Sequence, residues 1–160
     1  MYTKALRFLP ALLLALPACG IIGGSPTTEM KESRGEVRYQ WTGSLFTPSE
    51  LAGAMQVRGT ATWAPAGDNR SEARVNISNA TPGGQHPWRI HEGRCGDNGP
   101  VVGDSEDYKL LKVDDDGRAS QRAELDIPLP RSGVYHVNVN AASVNMTTII
   151  SCGNLAPPVE

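Results

Sequence analysis

Alternation of period two runs through most of this chain and is the strongest limit on its fold. Val37, Tyr39 and Trp41 are separated by Arg38 and Gln40, and the pattern returns as Val57, Gly59, Ala61 and Trp63 and as Ala73, Val75 and Ile77. Side chains two apart on an extended strand share a face, so these segments read as strands with one buried and one wet face. Trp88 with Ile90, Ala123 with Leu125 and Ile127, Val134 to Val139 and Thr147 to Ser151 continue the series between clusters of Pro, Gly, Asn and Asp. Beyond the leader no segment of helical length has a 3.6-residue period, and Ser49 to Met55 has room for one turn. The expected fold class is all-β: an antiparallel Greek-key sandwich or barrel of seven or eight strands.

The N-terminus is of a different kind. Lys4 and Arg7 precede an apolar run from Phe8 to Leu16, too short to span a bilayer and of the length of a secretory leader. Leu16-Pro17-Ala18-Cys19 resembles a bacterial lipobox, whose cysteine becomes the lipid-modified first residue of the mature protein, with Pro17 departing from the usual small residue. Gly20, rather than an acidic residue, resembles the outer-membrane version of that signal. From Ile21 to about Glu36 the chain is Gly, Ser, Pro, Thr and charge without period, as in a tether. The expected organisation is a leader over 1–18, a lipidated Cys19 and tether over 19–35, one domain over 36–155 and a tail over 156–160. Loss of the leader removes Lys4 and Arg7 from a chain of net charge −2, which leaves an acidic domain and argues against nucleic acid as a partner. The expected location is the envelope, on the periplasmic face of the outer membrane, with lipid as the attachment.

Chemistry-bearing residues gather in His86-Pro87-Trp88-Arg89-Ile90-His91-Glu92-Gly93-Arg94-Cys95-Gly96, which contains two of the three histidines and one of the three cysteines. On a strand, Arg89 and His91 share one face and Trp88 and Ile90 the other. The segment resembles the copper-ligand strand of the copper/zinc superoxide dismutases, in which His-x-x-His-x-His-Glu leads into a loop with a structural cysteine. His86 matches the first, supporting histidine, His91 a copper ligand and Glu92 the glutamate, while Arg89 stands where the other ligand of the pair would be. The third histidine lies in Tyr135-His136-Val137-Asn138-Val139-Asn140, where alternation sets His136, Asn138 and Asn140 opposite the core face. In the dismutases a copper histidine ends a valine-rich run of this kind, and Asn140 occupies that place here.

The resemblance implies a dismutase-like sandwich from about Val37 to Leu155 with an altered metal site. A protonated guanidinium has no lone pair for a metal, and an amide is a poor copper ligand. Residues 92–108 contain no histidine to bridge copper to zinc, and residues 140–146 contain no arginine to guide superoxide. The resemblance also implies a disulfide between the ligand-strand loop and the final strand. If Cys19 carries lipid, Cys95 and Cys152 have one intramolecular pairing open to them, the alternative being two free thiols.

Other signals read as ordinary surface. Asp114-Asp115-Asp116-Gly117 lacks the spaced oxygens of a calcium loop and reads as a hairpin turn, and Asp104, Glu106 and Asp107 form a solvated acidic loop. The sequons at Asn76, Asn79 and Asn145 matter only in a eukaryotic secretory route. The expected function is that of a lipid-anchored envelope protein, a non-catalytic binding or structural module with no cofactor and with a protein or small-molecule ligand that the residues do not name. The alternatives are a copper carrier or copper-dependent dismutase using His86, His91 and His136, and a purely structural lipoprotein. The anchor has a direct test. Cys19→Ser should move the protein from the membrane to the soluble fraction on fractionation, whereas unchanged retention would point to a protein partner or an uncleaved leader.

Overall fold

Nine strands follow one another between Trp41 and Leu155: β1 (Trp41–Phe46), β2 (Arg58–Pro65), β3 (Ser71–Ser78), β4 (Gln85–His86), β5 (Trp88–Glu92), β6 (Leu111–Lys112), β7 (Ala119–Leu125), β8 (Tyr135–Ala142) and β9 (Asn145–Leu155). The structure, a computed structural model, describes residues 39–158. The expected leader, Cys19 and the expected tether lie outside the described residues. Seven strands form one curled antiparallel sheet in the order β5-β8-β9-β1-β2-β3-β7, while β4 and β6 pair separately. The connections from β3 to β5 and from β7 to β8 cross from one side of this sheet to the other, which a simple meander would not require. The fold is therefore the expected all-β, sandwich- or barrel-like class.

The alternating apolar residues do form the core. Trp41, Leu45, Ala61, Trp63, Ala73, Val75, Ile77, Trp88, Ile90, Ala123, Leu125, Val137 and Val139 are all buried. Trp41 and Trp63 are direct cross-strand partners, and both meet the Tyr135 ring edge-on at centroid distances of 5.1 and 5.2 Å. Each indole N–H has an acceptor: Trp41 donates to the Pro130 carbonyl, Trp63 to Ser71 Oγ and Trp88 to the Lys109 carbonyl, at 2.8, 2.9 and 2.9 Å. Burial therefore strands none of these donors.

Three expectations are corrected at their edges. The first strand begins at Trp41 instead of Val37, which lies outside the described residues; Tyr39 is 38% exposed and in no strand. The register that sets Trp41 against Trp63 would bring Tyr39 opposite Pro65, which has no N–H to continue the ladder. The final strand runs from Asn145 to Leu155 instead of Thr147 to Ser151, and the expected loop over 140–146 contracts to the two-residue turn Ser143-Val144. Ser49 to Met55 forms turns and no helix.

Asp114 to Gly117 is a turn between β6 and β7. It is closed by Asp114 N donating to the Arg118 carbonyl, with Asp114 Oδ1 accepting from the N–H groups of Asp116 and Arg118.

Cys95 and Cys152 form the disulfide, 57 residues apart in sequence with Cα atoms 6.0 Å apart. It fastens the segment after β5 to the long strand β9. Closing a loop of that length restricts the unfolded chain by about 4 kcal/mol in the chain-entropy model, a large part of the net stability of a domain. Cys95→Ser is expected to lower the unfolding free energy by about that amount in denaturant titration. Thiol labelling of the denatured, unreduced protein should find neither Cys95 nor Cys152 reactive, and labelling of both would refute the pairing.

Candidate functional site

The polar residues singled out on β5 and β8 are brought together by strand register. His91 is paired with His136 and Arg89 with Asn138, while Trp88 with Val139 and Ile90 with Val137 form the alternate rows that enter the core. On the far side of β8, Asn154 pairs with His136 and Cys152 with Asn138. One face of β5, β8 and β9 thus carries His91, His136 and Asn154 in one row and Arg89, Asn138 and Cys152 in the next. Asn140 follows along β8.

This face is not open to water, as a simple inside-outside alternation would have it. His136 is 0% exposed and Asn138 and Asn140 are 5% exposed each, so β8 is buried on both sides. The segment from Gly93 to Pro100 folds back over it. Gly93 N donates to the Val134 carbonyl, Cys95 N to Asn154 Oδ1 and Glu92 N to the Pro100 carbonyl, at 2.8, 2.8 and 3.0 Å. Gly99 is required there, because a Cβ would collide with the Glu92 carbonyl.

Both histidines help to hold this roof. His91 Nδ1 lies 2.9 Å from the Gly99 carbonyl and His136 Nδ1 lies 3.0 Å from the Gly93 carbonyl. A carbonyl oxygen can only accept, so each Nδ1 carries a proton and the neutral ring keeps its lone pair on Nε2. The rings stack, with centroids 5.3 Å apart and planes 18° from parallel. Burial holds the His91 pKa below the ordinary histidine value; the Gly99 carbonyl opposes that shift, and His136 and Arg89 add to it.

His86 does not join the pair. Its Nδ1 donates to the Ala141 carbonyl at 2.9 Å, five residues along β8 from His136 and so roughly 16 Å further down an extended strand. Among the described residues, no three His, Cys, Asp or Glu side chains gather as a metal site would need. Of His86, His91 and His136, the structure sets the last two side by side and the first apart from them. Nor do Arg89 and Asn140 fit a metal. Arg89 Nη1 lies 3.9 Å from Met146 Sδ, and Asn140 Nδ2 donates to the Met146 carbonyl at 2.7 Å. The copper and zinc implied by the dismutase resemblance thus find two imidazoles beside a cation, short of the ligand set either metal has in a dismutase.

Four buried polar atoms on this face lack a partner: Arg89 Nε, His136 Nε2, Asn138 Oδ1 and Asn140 Oδ1. Asn154 and Met146 drew no notice in the sequence, and Asn138 was marked only as sharing the face of His136. Strand period marks Asn138 as facing the same way as His136, but that Asn154 on β9 shares their face, and that all three stand in rows, comes from long-range pairing.

No family model matches this chain, and no curated protein matches it either. Fold and site together define a disulfide-tied all-β domain with a roofed, polar, two-histidine face.

The lowered His91 pKa fixes the sign of a pH effect. Between the unfolded value near 6.5 and the lower folded value, the unfolded chain binds more protons, so stability falls as pH drops through that window and levels off below it. Unfolding titrations from pH 7 to pH 5 should show this loss, and His91→Gln should flatten it. An unchanged slope in the variant would show that His91 is not its source.

Proposed function

We propose that this chain is an exported, lipid-anchored envelope protein whose superoxide-dismutase-like domain acts as a non-catalytic binding module. The leader pattern ending at Cys19 supports export and anchoring, and the His86 to Cys95 pattern supports the dismutase-like descent of the sandwich. The single observation that carries the non-catalytic reading is the position of Arg89, on the same face as the His91–His136 pair and one strand alternation from His91. A dication held at His91 would stand roughly 7 Å from the guanidinium, and their repulsion is about 5 kcal/mol at an effective dielectric of 20. Copper chemistry on superoxide needs a metal held firmly in both oxidation states, and two imidazoles beside that charge do not provide it.

One observation favours a second reading, that of a copper carrier. Each histidine of the pair is oriented through Nδ1 by a backbone carbonyl and keeps Nε2 free, the arrangement in which histidines ligate metals. Metal content separates the two. The domain refolded with excess copper and zinc and then desalted should keep well under about one equivalent of metal and turn over superoxide no faster than free copper. Arg89→His with Asn140→His should raise copper affinity by removing the cation and adding two imidazoles. Stoichiometric copper in the unmutated protein, lost on His91→Ala and accompanied by superoxide turnover, would overturn the non-catalytic reading.

A further inference from the structure

We propose that the face made by Arg89, His136, Asn138 and Asn140 binds a small oxyanion that keeps an acidic hydrogen, of the dihydrogen phosphate or bicarbonate type. This rests on the reading of the same face as a binding site without metal.

The four unpartnered atoms set the chemistry. Arg89 Nε is a donor, while His136 Nε2, Asn138 Oδ1 and Asn140 Oδ1 are acceptors. For His136 and Asn140 the role is fixed by what the rest of the group does, whereas the Asn138 amide makes no other hydrogen bond and can turn either end to the face. His136 Nδ1 is committed to the Gly93 carbonyl, and Asn140 Nδ2 to the Met146 carbonyl. A buried donor or acceptor without a partner costs free energy, so the occupant that suits this face is the one that satisfies both kinds.

A metal cation would leave the Arg89 N–H unmatched and would meet its charge. An anion without hydrogens would suit Arg89 and face three lone pairs. An apolar group would leave all four atoms stranded. A protonated oxyanion offers acceptor oxygens to Arg89 and an O–H to the acceptor side.

Charge points the same way. Among the described residues the ion pairs are those of Glu72 with Arg74 and Arg122, and Arg89 is in neither. Asp97, in the roof, accepts from Arg94 N through Oδ2, and Glu92, at the end of β5, is exposed. A partly buried guanidinium without a carboxylate is matched by one negative charge.

The strand register sets the span that such a species would bridge. Arg89 and Asn138 are direct cross-strand partners, and successive rows on one face are about 7 Å apart. A single oxyanion over Arg89 and Asn138 therefore reaches one neighbouring row, that of His136 or that of Asn140. Arg89, His91 and Met146 are only partly buried, which places the mouth of the site at their edge of the face.

Calorimetric titration of the full protein near neutral pH with phosphate, bicarbonate, sulfate and chloride tests this. Sulfate resembles phosphate in size and shape but carries no hydrogen at that pH. Phosphate or bicarbonate should bind, and sulfate should bind at least about tenfold more weakly, as expected for the loss of a charge-assisted hydrogen bond. The phosphate and bicarbonate arms say which oxyacid is preferred. Arg89→Gln should abolish binding of either, and Asn138→Leu should lose the preference over sulfate, with near-UV circular dichroism reporting whether each variant is folded. The comparison of anions on the unmutated protein stands even if a variant does not fold. Equal binding of sulfate, or no binding of phosphate and bicarbonate at millimolar concentration, would overturn the proposal. Copper measured on the same samples keeps the two readings apart: retained copper defeats the metal-free reading, whereas absent copper with absent anion binding defeats only this one.

Discussion

The pairing of β5 with β8 in one register is what the rest of the structure around the site depends on. It sets Trp88 against Val139 and Ile90 against Val137 in the core, and the same alternation sets Arg89 against Asn138 and His91 against His136 on the opposite face. A slip of one residue would exchange the two sets. It would expel an indole and an isoleucine from the core, each stabilising the fold by roughly 2 kcal/mol or more on burial, and would drive a guanidinium inward without a partner. The apolar residues thus choose the register, and the polar constellation follows from their choice.

The roof over this face depends on the same register at one remove. Gly93 and Gly99 reach the two stacked histidines through their carbonyls, Cys95 reaches Asn154 through its N–H, and the disulfide joins Cys95 to Cys152, which lies directly beside Asn138. Each hydrogen bond contributes on the order of 1 kcal/mol net. They act on a segment that the disulfide already confines, so ordering it costs less entropy than ordering a free loop would. The histidines thus have a structural role that asks nothing of a ligand. Only their Nε2 sides are open to chemistry.

Period-two alternation made the strand class and most inward residues legible, because the pleat imposes it whatever the partner. Strand ends were less legible: β1 starts late because Pro65 ends its ladder, a fact about the partner strand, and β9 overran its predicted limits because polar Asn145, Cys152 and Asn154 carry no apolar period. At the site, Arg89 and His91 were rightly placed on one face. Burial of His136 was not foreseeable, since alternation marks the face opposite the core and says nothing of a loop that later covers it. The separation of His86 from the pair was hidden in the sequence for a related reason. Only Pro87 and Trp88 separate it from Arg89 in sequence, but Pro87 divides β4 from β5, and β4 pairs with β6 instead of extending the β5 strand.

Strand β8 is apolar on one face and polar on the other, yet both faces are buried. If the polar face served only to support the roof and the β8–β9 turn, the hydrogen bonds of the His136 and Asn140 donors would be enough, and their remaining acceptors, with Asn138 Oδ1, would be a standing cost of roughly 1–3 kcal/mol each. Apolar side chains of like volume would avoid that cost, as would serine or threonine with a single group to satisfy. A sequence that instead places three unpartnered side chains on the face of the Arg89 donor, in a domain short of neither apolar residues nor strand formers, keeps a set of groups whose hydrogen bonds are completed only by something from outside the chain. Ordered water would complete them without selectivity. An occupant with matched donors, acceptors and charge would complete them and stabilise the folded form over the unfolded one by mass action, coupling the rigidity of the roof to the presence of its ligand.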